Sequence, residues 1–339
     1  MKVAVYYSND DIRIEERQKP TISNQEILVK MKACGICGTD IMEWYRIKKA
    51  PRFLGHEMAG EIFEIGSKIE RLRKGDRVFV SHHVPCYKCY YCLQGKYTAC
   101  ELMHTGNYDP GGFSEYIRIP ADNVRYGTFL LPDSITYEDA TMIEPLGCAI
   151  AGQNQLGLQE GHTVLIIGSG VAGILQVQLA KIKKAKIIAM DINENRLNMA
   201  KEFGAHHVID AKKYSVDDLK SINDSRLADI VIVCAPATKA VDNALLSIDR
   251  KGKILFFAVH QTDIIIPSLR YWRDEIIITF SYGASPHDLQ EAIELIDIGR
   301  INVRKMVTNK VPLSDIQQGF KLATEANSLK VVIVPDDQY

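Results

Sequence analysis

The chain has 339 residues, with 41 lysines and arginines, 42 aspartates and glutamates and a net charge of −1. This balance provides no bulk charge that would attract nucleic acid or an anionic membrane surface. Hydrophobic residues make up 46% and charged residues 24%, which is typical of a soluble globular protein, and the length suits two domains. No apolar stretch approaches the roughly 20 residues of a membrane span, and the N-terminus is strand-like without a signal-peptide cleavage site. We therefore expect a cytoplasmic protein that binds neither membranes nor nucleic acid.

Short alternating runs separated by turn residues fill the first 143 residues. The runs are residues 1–7, 26–33, 59–65, 76–81 and 112–119. Many short strands with regular turns predict a compact, partly barrel-like β domain.

A thiol, an imidazole and a carboxylate in this part form one candidate metal site. Cys37 follows the second predicted strand, and His56 and Glu57 are adjacent. These donors suit a zinc ion with an open position for water or substrate. Taken singly, His56 is more often a hydrogen-bonded structural histidine and Glu57 a solvated acid. Glu144, beside Pro145, is a further acid, and its simplest interpretation is a carboxylate at a helix N-terminus.

Four of the eight cysteines lie within fifteen residues. They are Cys86, Cys89, Cys92 and Cys100. Clustered cysteines in a reducing compartment indicate metal ligands rather than disulfides, and two C-x-x-C spacings suit a tetrahedral zinc ion better than four incidental thiols. Because cysteine fills all four positions, we predict a structural site without room for substrate.

The second part begins with a glycine-rich turn between a predicted strand, residues 164–167, and a predicted helix, residues 172–184. The three glycines of the G-x-G-x-x-G pattern are Gly168, Gly170 and Gly173. They would make the tight turn, admit a pyrophosphate close to the backbone and allow close helix–strand packing. The positive end of the helix favours a phosphate, although such a turn alone is a weak signal.

The next predicted strand, residues 186–190, leads into Asp191 about twenty residues beyond the glycines. An acid at this position binds a ribose 2′-hydroxyl and repels a 2′-phosphate, which favours NAD over NADP. Arg196 is the one nearby feature able to accommodate a phosphate, and its alternative role is a surface charge on the following helix.

Strands and helices then alternate, which predicts a parallel, doubly wound sheet with its ligand at the carboxyl edge. The further strands are predicted at residues 208–210, 229–234, 253–258 and 275–280, with helices between them at 195–203 and 239–248. In the tail, residues 289–298 are predicted to form a helix that ends at Gly299. Residues 311–315 are predicted to begin another helix and residues 330–334 to form a strand.

Taken together, these motifs resemble the zinc-dependent medium-chain dehydrogenases, most of all their polyol (sorbitol or iditol) branch. The resemblance rests on residues 35–40 (Gly-Ile-Cys-Gly-Thr-Asp), 55–57 (Gly-His-Glu), 111–116 (Gly-Gly-Phe-Ser-Glu-Tyr) and 144–146 (Glu-Pro-Leu), the four cysteines and the glycine turn with Asp191. It implies an α/β protein with a GroES-like β-rich catalytic domain, residues 1–143 and 284–339, and a Rossmann NAD-binding domain, residues 144–283. The active site would lie in the cleft between them.

By this resemblance, Cys37, His56 and Glu57 match the catalytic zinc positions. Glu144 matches a carboxylate that replaces a cysteine ligand of simple alcohol dehydrogenases, and whether Glu57 or Glu144 contacts the metal stays open. Thr39 matches the hydroxyl that relays the substrate proton.

Further assignments are also implied by the resemblance. The additional candidates are Val171, Ala172, Arg196, Ala258 and Val259 for the cofactor, and Trp44, Phe113 and Tyr282 for the substrate. Met42 stands where some relatives carry a relay histidine, which leaves the proton exit route open. Ser281 stands where polyol enzymes commonly carry arginine, which weakens a transfer of sorbitol specificity.

We expect NAD-dependent oxidation of a secondary alcohol in a polyol or sugar derivative to a ketone, with two zinc ions per chain in a homodimer or homotetramer. Threonine or a simple secondary alcohol is the alternative substrate. A zinc-containing nucleic-acid- or protein-binding module is a remote alternative suggested by the aromatic and basic residues around the four cysteines, and the balanced charge disfavours it. A catalytically silent dinucleotide-binding relative is the third possibility.

Overall fold

The computed structural model describes residues 1–325 and 328–339 and divides into two compact units. Unit 1 comprises Met1–Glu144 and Ser285–Tyr339, and unit 2 comprises Pro145–Ala284. In the described residues, no helix combines the length and apolar character needed to cross a membrane.

The strands are β1 (Lys2–Ser8), β2 (Asp11–Glu16), β3 (Ile27–Gly35), β4 (Arg52–Phe53), β5 (Glu57–Ile65), β6 (Arg77–Ser81), β7 (Tyr116–Ile119), β8 (Thr128–Leu130), β9 (Thr163–Ile167), β10 (Lys186–Asp191), β11 (His207–Asp210), β12 (Ala228–Val233), β13 (Ile248–Phe256), β14 (Ile277–Phe280), β15 (Val307–Pro312) and β16 (Lys330–Val334). The helices are α1 (Glu43–Arg46), α2 (Tyr90–Leu93), α3 (Glu101–Thr105), α4 (Ala121–Gly127), α5 (Tyr137–Ala140), α6 (Ile143–Asn154), α7 (Val171–Ile182), α8 (Glu194–Phe203), α9 (Val216–Ile222), α10 (Thr238–Ser247), α11 (Ser268–Asp274), α12 (Pro286–Asp297) and α13 (Ile316–Thr324).

Unit 1 is rich in β structure. A seven-stranded sheet runs in the order β15-β16-β3-β5-β6-β8, with β7 also paired to β3, and a three-stranded sheet has the order β2-β1-β4. Strand β3 pairs antiparallel with β5, so that Gly35 lies opposite Glu57. Strand β16 pairs with the end of β3, where Val332 lies opposite Gly35. The C-terminal strand therefore supports the segment that leads into Cys37.

Unit 2 is a doubly wound parallel sheet of six strands in the order β11-β10-β9-β12-β13-β14. Every residue of β9 is buried, as expected for a central strand covered on both faces. Because β10 runs parallel to β9, with Met190 opposite Ile167, the glycine turn and Asp191 lie at the same sheet edge. The predicted doubly wound parallel sheet is confirmed.

Several predicted elements differ from the structure at their ends; β13, for example, begins at Ile248 rather than at residue 253. The strand predicted over residues 112–119 forms only at Tyr116–Ile119, because Phe113 donates its backbone N–H to the Leu54 carbonyl in a loop. The helix predicted to begin at residues 311–315 starts at Ile316 instead. Residues 311 and 312 end β15, where the β-branched side chain of Val311 is buried and its backbone pairs with β16.

Candidate active site

The loop after β3 holds the thiol of Cys37 in a tight turn. Asp40 accepts a hydrogen bond from the Cys37 backbone N–H through Oδ2 (3.1 Å), and the Asp40 N–H donates to the Cys37 carbonyl (2.9 Å). Gly35 precedes this loop because a Cβ there would lie 2.1 Å from Oε2 of Glu57. The glycine therefore leaves the space that the Glu57 carboxylate occupies.

His56 and Glu57 reach the same place from the start of β5. Gly55 before them has φ of +87°, a left-handed conformation that favours glycine, and a Cβ there would lie 2.7 Å from the Phe113 nitrogen. One donor atom from each of Cys37, His56 and Glu57 lies within 4.8 Å of the other two. A thiolate, an imidazole and a carboxylate at this spacing fit a zinc ion with an open coordination position.

The charges around His56 favour a cation. The fully buried carboxylate of Asp40 lies 3.6 Å from His56 Nδ1. Burial opposes protonation of His56, but the charges of Asp40 and Cys37 outweigh it, so that the pKa of His56 is raised well above its ordinary value. The negative charges of Asp40 and Cys37 would also attract a metal ion bound through this imidazole.

Glu57 is paired with a lysine that the sequence reasoning did not identify. Lys330, the first residue of β16, donates from Nζ to Glu57 Oε2 (2.5 Å) and to the Ile36 carbonyl (3.2 Å), and both charged side chains are 1% exposed. Burial lowers the pKa of Lys330, but the charge of Glu57 outweighs it and the net shift is upward. Glu57 Oε1 is buried without a hydrogen-bond partner among the described residues. The unpaired oxygen is therefore available to a metal ion.

Thr39 and Glu144 lie close to this donor group. Thr39 Oγ1 is 3.4 Å from Cys37 Sγ and accepts a hydrogen bond from Arg46 (2.8 Å). Glu144 lies in the first turn of α6 and is not in the three-residue donor group, although its charge also raises the pKa of His56.

Two adjacent histidines, also missed by the sequence reasoning, lie beside the donor group. The ring of His82 is 4.9 Å from that of His56 and 3.7 Å from that of His83, measured between centroids. Burial lowers the pKa of His82 well below its ordinary value and that of His83 to about 4. Both rings are therefore neutral at pH 7, and the buried Nδ1 of His82 has no partner among the described residues. Two neighbouring histidines just before the cysteine cluster were the available sequence signal.

The four cysteines predicted as a structural site also meet. Cys86, Cys89, Cys92 and Cys100 place their sulfur atoms within 4.8 Å of one another, and all four are free thiols. The backbone N–H of Lys88 and then that of Cys89 lower the pKa of Cys86 to about 6 against the effect of desolvation. A thiolate is the form that binds zinc.

The glycine turn of unit 2 has the expected close packing. Gly168 has φ of +95°, and a Cβ on Gly173 would lie 1.8 Å from the Gly168 carbonyl oxygen, whereas a Cβ on Gly170 would meet nothing within 4 Å. Helix α7 begins at Val171, followed by Ala172, so backbone N–H groups of its first turn are available to an anion. The turn is open at Gly170, where a pyrophosphate would approach.

Asp191 is held at the end of β10. Its Oδ2 accepts the Ser169 N–H (2.7 Å) and its Oδ1 accepts the Asn193 N–H (2.9 Å). Nearby, Arg196 Nε and Ser169 Oγ are buried without partners among the described residues.

The remaining candidates have different surroundings. Ala258 and the exposed Val259 follow β13, and Tyr282, also exposed, follows β14. Trp44, on α1, is half-buried with its ring 5.8 Å from that of Tyr45. Phe113 is 1% exposed and packs in the core of unit 1.

Unpartnered buried polar atoms concentrate around these sites. Within the described residues, the side-chain atoms are Arg52 Nε, Glu57 Oε1, His82 Nδ1, Tyr108 Oη and Ser114 Oγ in unit 1, and Ser169 Oγ, Arg196 Nε and His260 Nε2 in unit 2. Such atoms are costly to bury unless something pairs with them. Glu57 belongs to the donor group with His82 beside it, and Ser169 lies within the glycine turn, so both places suit a ligand.

Comparison with known proteins gives the family. The sequence family of the alcohol dehydrogenase GroES-like domain matches residues 23–129, and that of zinc-binding dehydrogenases matches residues 172–297. Sorbitol dehydrogenase of Bacillus subtilis (strain 168) is 32% identical over 350 aligned residues, covering 99% of this chain and 98% of that protein. The chain belongs to the zinc-dependent medium-chain dehydrogenases.

Two further similarities place this dehydrogenase in the polyol branch and support its fold. D-xylulose reductase A of Aspergillus niger is 30% identical, covering 96% of this chain and 94% of that protein. A structure from Sinorhizobium meliloti 1021, described as a zinc-binding dehydrogenase bound to NADP, has a TM-score of 0.88 at 26% identity and covers 98% of this chain and 99% of its own. The predicted fold class, the alcohol or polyol dehydrogenase activity and the use of zinc with a nicotinamide dinucleotide are confirmed. The preference for NAD over NADP stays a prediction.

Proposed function

We propose that this dehydrogenase oxidises a secondary alcohol of a polyol or sugar derivative to a ketone, with NAD as the hydride acceptor. The observation that carries the proposal is the meeting of the Cys37, His56 and Glu57 donor atoms within 4.8 Å. We assign the zinc chemistry to unit 1 and dinucleotide binding to unit 2.

In this proposal Cys37, His56 and Glu57 would hold the catalytic zinc, with Glu144 as the alternative carboxylate for the third position. When bound, zinc supplies a Lewis acid that lowers the pKa of a substrate hydroxyl, and the dinucleotide accepts the hydride. Thr39 Oγ1 would accept the hydrogen bond of that hydroxyl, and it would take the substrate proton only while passing its own hydroxyl proton on, in the end to solvent. Cys86 and its three partner cysteines bind a structural zinc.

We assign the cofactor contacts to the glycine turn, with the ribose hydroxyls on Asp191. Two backbone N–H groups hold the Asp191 carboxylate in place, and its charge would repel a 2′-phosphate. Arg196 would have the opposite effect on cofactor preference, because its unpartnered Nε would attract such a phosphate. Comparing kcat/KM for NAD and NADP tests the preference, and a higher value with NADP would contradict it.

A homodimer or homotetramer in the cytoplasm is also proposed. Support comes from β14, an edge strand of its sheet on which Ile277 and Phe280 are more than half exposed. Edge pairing with a second copy would cover these side chains and the unpaired backbone groups. The eight free cysteines fit a reducing compartment. Light scattering of the purified protein measures the assembly, and a monomer would contradict this assignment.

The deciding experiment is a substrate panel of alditols, cyclitols, threonine and short secondary alcohols, assayed with NAD. We expect the highest kcat/KM on an alditol or cyclitol. Activity confined to threonine or to short alcohols would overturn the substrate class. Glu57→Gln should lower turnover, whereas Glu61→Gln, on the same strand but half-exposed, should leave it near the wild-type value.

A further inference from the structure

Arg46 is hydrogen-bonded to the main chain and the side chain of one residue beside the donor group. Its Nε donates to the Thr39 carbonyl oxygen (2.8 Å), and its Nη2 donates to Thr39 Oγ1 (2.8 Å). The Arg46 side chain is only 13% exposed. A planar guanidinium that makes both bonds specifies the conformation of Thr39 rather than merely neutralising a charge.

Arg46 also forms an ion pair with the buried Asp40, but this contact is longer than its two hydrogen bonds to Thr39. The nearest carboxylate oxygen recorded for it, Asp40 Oδ1, is 3.5 Å away, and this carboxyl group is shared with the Cys37 N–H and the imidazole of His56. Burying a cation costs free energy, which the bonds to two neutral oxygens and the longer contact with Asp40 offset only in part. An apolar residue on α1 would cover the loop without this cost. A function for the guanidinium at Thr39 explains why arginine is present.

We propose that Arg46 is a positioning residue that sets the orientation of the Thr39 hydroxyl for the reacting alcohol. A guanidinium only donates, so Oγ1 must act as an acceptor towards Arg46. The Thr39 hydrogen then points to Cys37 Sγ, 3.4 Å away, and the second lone pair of Oγ1 is left for the substrate hydroxyl. This inference rests on the proposed contact of Thr39 with the substrate.

A purely structural brace is the competing explanation, since the loop bonded by Arg46 also carries Cys37. A brace predicts that removing Arg46 lowers zinc content and thermal stability. A positioning residue predicts a loss of kcat while the zinc remains, and it predicts that the loss requires the Thr39 hydroxyl.

The experiment compares Arg46→Met, Arg46→Lys, Thr39→Val and the double variant Arg46→Met/Thr39→Val in the full-length, zinc-loaded chain. Lys49→Met is the matched control, because Lys49 is exposed and its replacement makes the same charge change. The measurements are kcat, KM for the alcohol and the dinucleotide, zinc per chain and the unfolding midpoint.

We expect Arg46→Met to lower kcat about 10- to 100-fold with both zinc ions retained and KM for the dinucleotide unchanged. Arg46→Lys should recover part of kcat, because it keeps a charged donor. In the Thr39→Val background, Arg46→Met should change kcat by less than about 3-fold, since the two act as one unit. Loss of a zinc ion, unchanged kcat or independent effects would each overturn the proposal.

Unfolding midpoints of wild type, Arg46→Met, Thr39→Val and the double variant form a second cycle that needs no turnover. If wild type oxidises no alcohol, the proposed function fails, while coupling between Arg46 and Thr39 in stability still shows whether their bond exists. A lack of coupling in that cycle would overturn the inference even in an active enzyme.

Discussion

Lys330 and Glu57 form a buried ion pair directly beneath the candidate zinc site. Such a pair contributes little net stability, because desolvation offsets much of the attraction. Its consequence here is geometric, since Nζ holds Oε2 and leaves Oε1 buried without a hydrogen-bond partner among the described residues. The carboxylate can therefore serve the metal through one oxygen while the other stays fixed.

Replacing Lys330 by methionine should leave the buried Glu57 carboxylate without its cationic partner. We expect the free energy of unfolding to fall by about 3–5 kcal/mol and zinc to bind more weakly. The control is Lys30→Met, which breaks a half-exposed pair with Asp337 and should change stability by less than about 1 kcal/mol. Urea denaturation and chelator competition measure both quantities. Equal urea midpoints for the two variants would contradict this account.

The lowered pKa of His83 predicts that the protein loses stability in mild acid. Its folded pKa of about 4, lowered by burial, lies below the usual 6.5, so the unfolded chain binds a proton between these values while the folded chain does not. Stability from this residue is thus present above pH 6.5 and is lost as the pH falls towards 4. At pH 5 the loss is about 2 kcal/mol. In urea melts at pH 7 and pH 5, His83→Gln should therefore show a smaller difference than wild type, and an equal difference would contradict the assignment.

At the scale of elements, the β9–turn–α7 unit depends on two glycines in different ways. A Cβ on Gly173 would collide with the backbone of Gly168, whereas Gly170 faces open space. One glycine is required for helix–strand packing, and the other keeps a path open to the backbone.

Alanine at each position should separate these requirements. We expect Gly173→Ala to lower the unfolding temperature and to weaken dinucleotide binding, because the turn and helix must move apart. Gly170→Ala should keep the unfolding temperature within about 2 °C of wild type yet bind the dinucleotide at least about 10-fold more weakly, since its methyl group would meet the pyrophosphate. Differential scanning fluorimetry and NADH fluorescence titration measure both effects. A large loss of thermal stability in Gly170→Ala would contradict the distinction.

At the scale of the whole molecule, the part of the chain that the structure describes holds two separate candidate zinc sites, both in unit 1. The Cys37 site offers one thiol, one imidazole and one carboxylate, whereas the four-cysteine site offers four thiols. Four thiolates leave zinc no open position, whereas three donors leave one.

Removing one thiol from each site should therefore have different results. We expect two zinc ions per wild-type chain and one in either variant, Cys37→Ala or Cys89→Ala. Cys37→Ala should abolish turnover with a small change in unfolding temperature, whereas Cys89→Ala should lower that temperature by several degrees, since a closed structural site contributes folding energy. Metal analysis by mass spectrometry and scanning calorimetry test this. Wild-type turnover in Cys37→Ala would contradict zinc catalysis at this site.

The sequence alone predicted the parts of this protein that local spacing encodes. The alternation of strands and helices in unit 2, the glycine turn before α7 and the four clustered cysteines are each readable within a short window, because turn geometry and hydrophobic periodicity are local properties. Cys37, His56 and Glu57 were grouped as candidate zinc donors by residue type and matched to the catalytic positions by family resemblance, since their spacing in the chain alone does not show that they meet.

Only the tertiary structure shows the contacts between residues that lie far apart in the sequence. Lys330 lies 273 residues from Glu57, and a lysine at the start of a strand is normally expected to face solvent. Arg46 at Thr39 and the ring of His82 beside His56 likewise depend on where separate elements pack. Burial gives these side chains their roles. Where water is excluded, the free energy of a fixed charge, a neutral imidazole or an unpaired oxygen depends strongly on the groups around it. Burial is set by strand order and register, which no short stretch of sequence specifies.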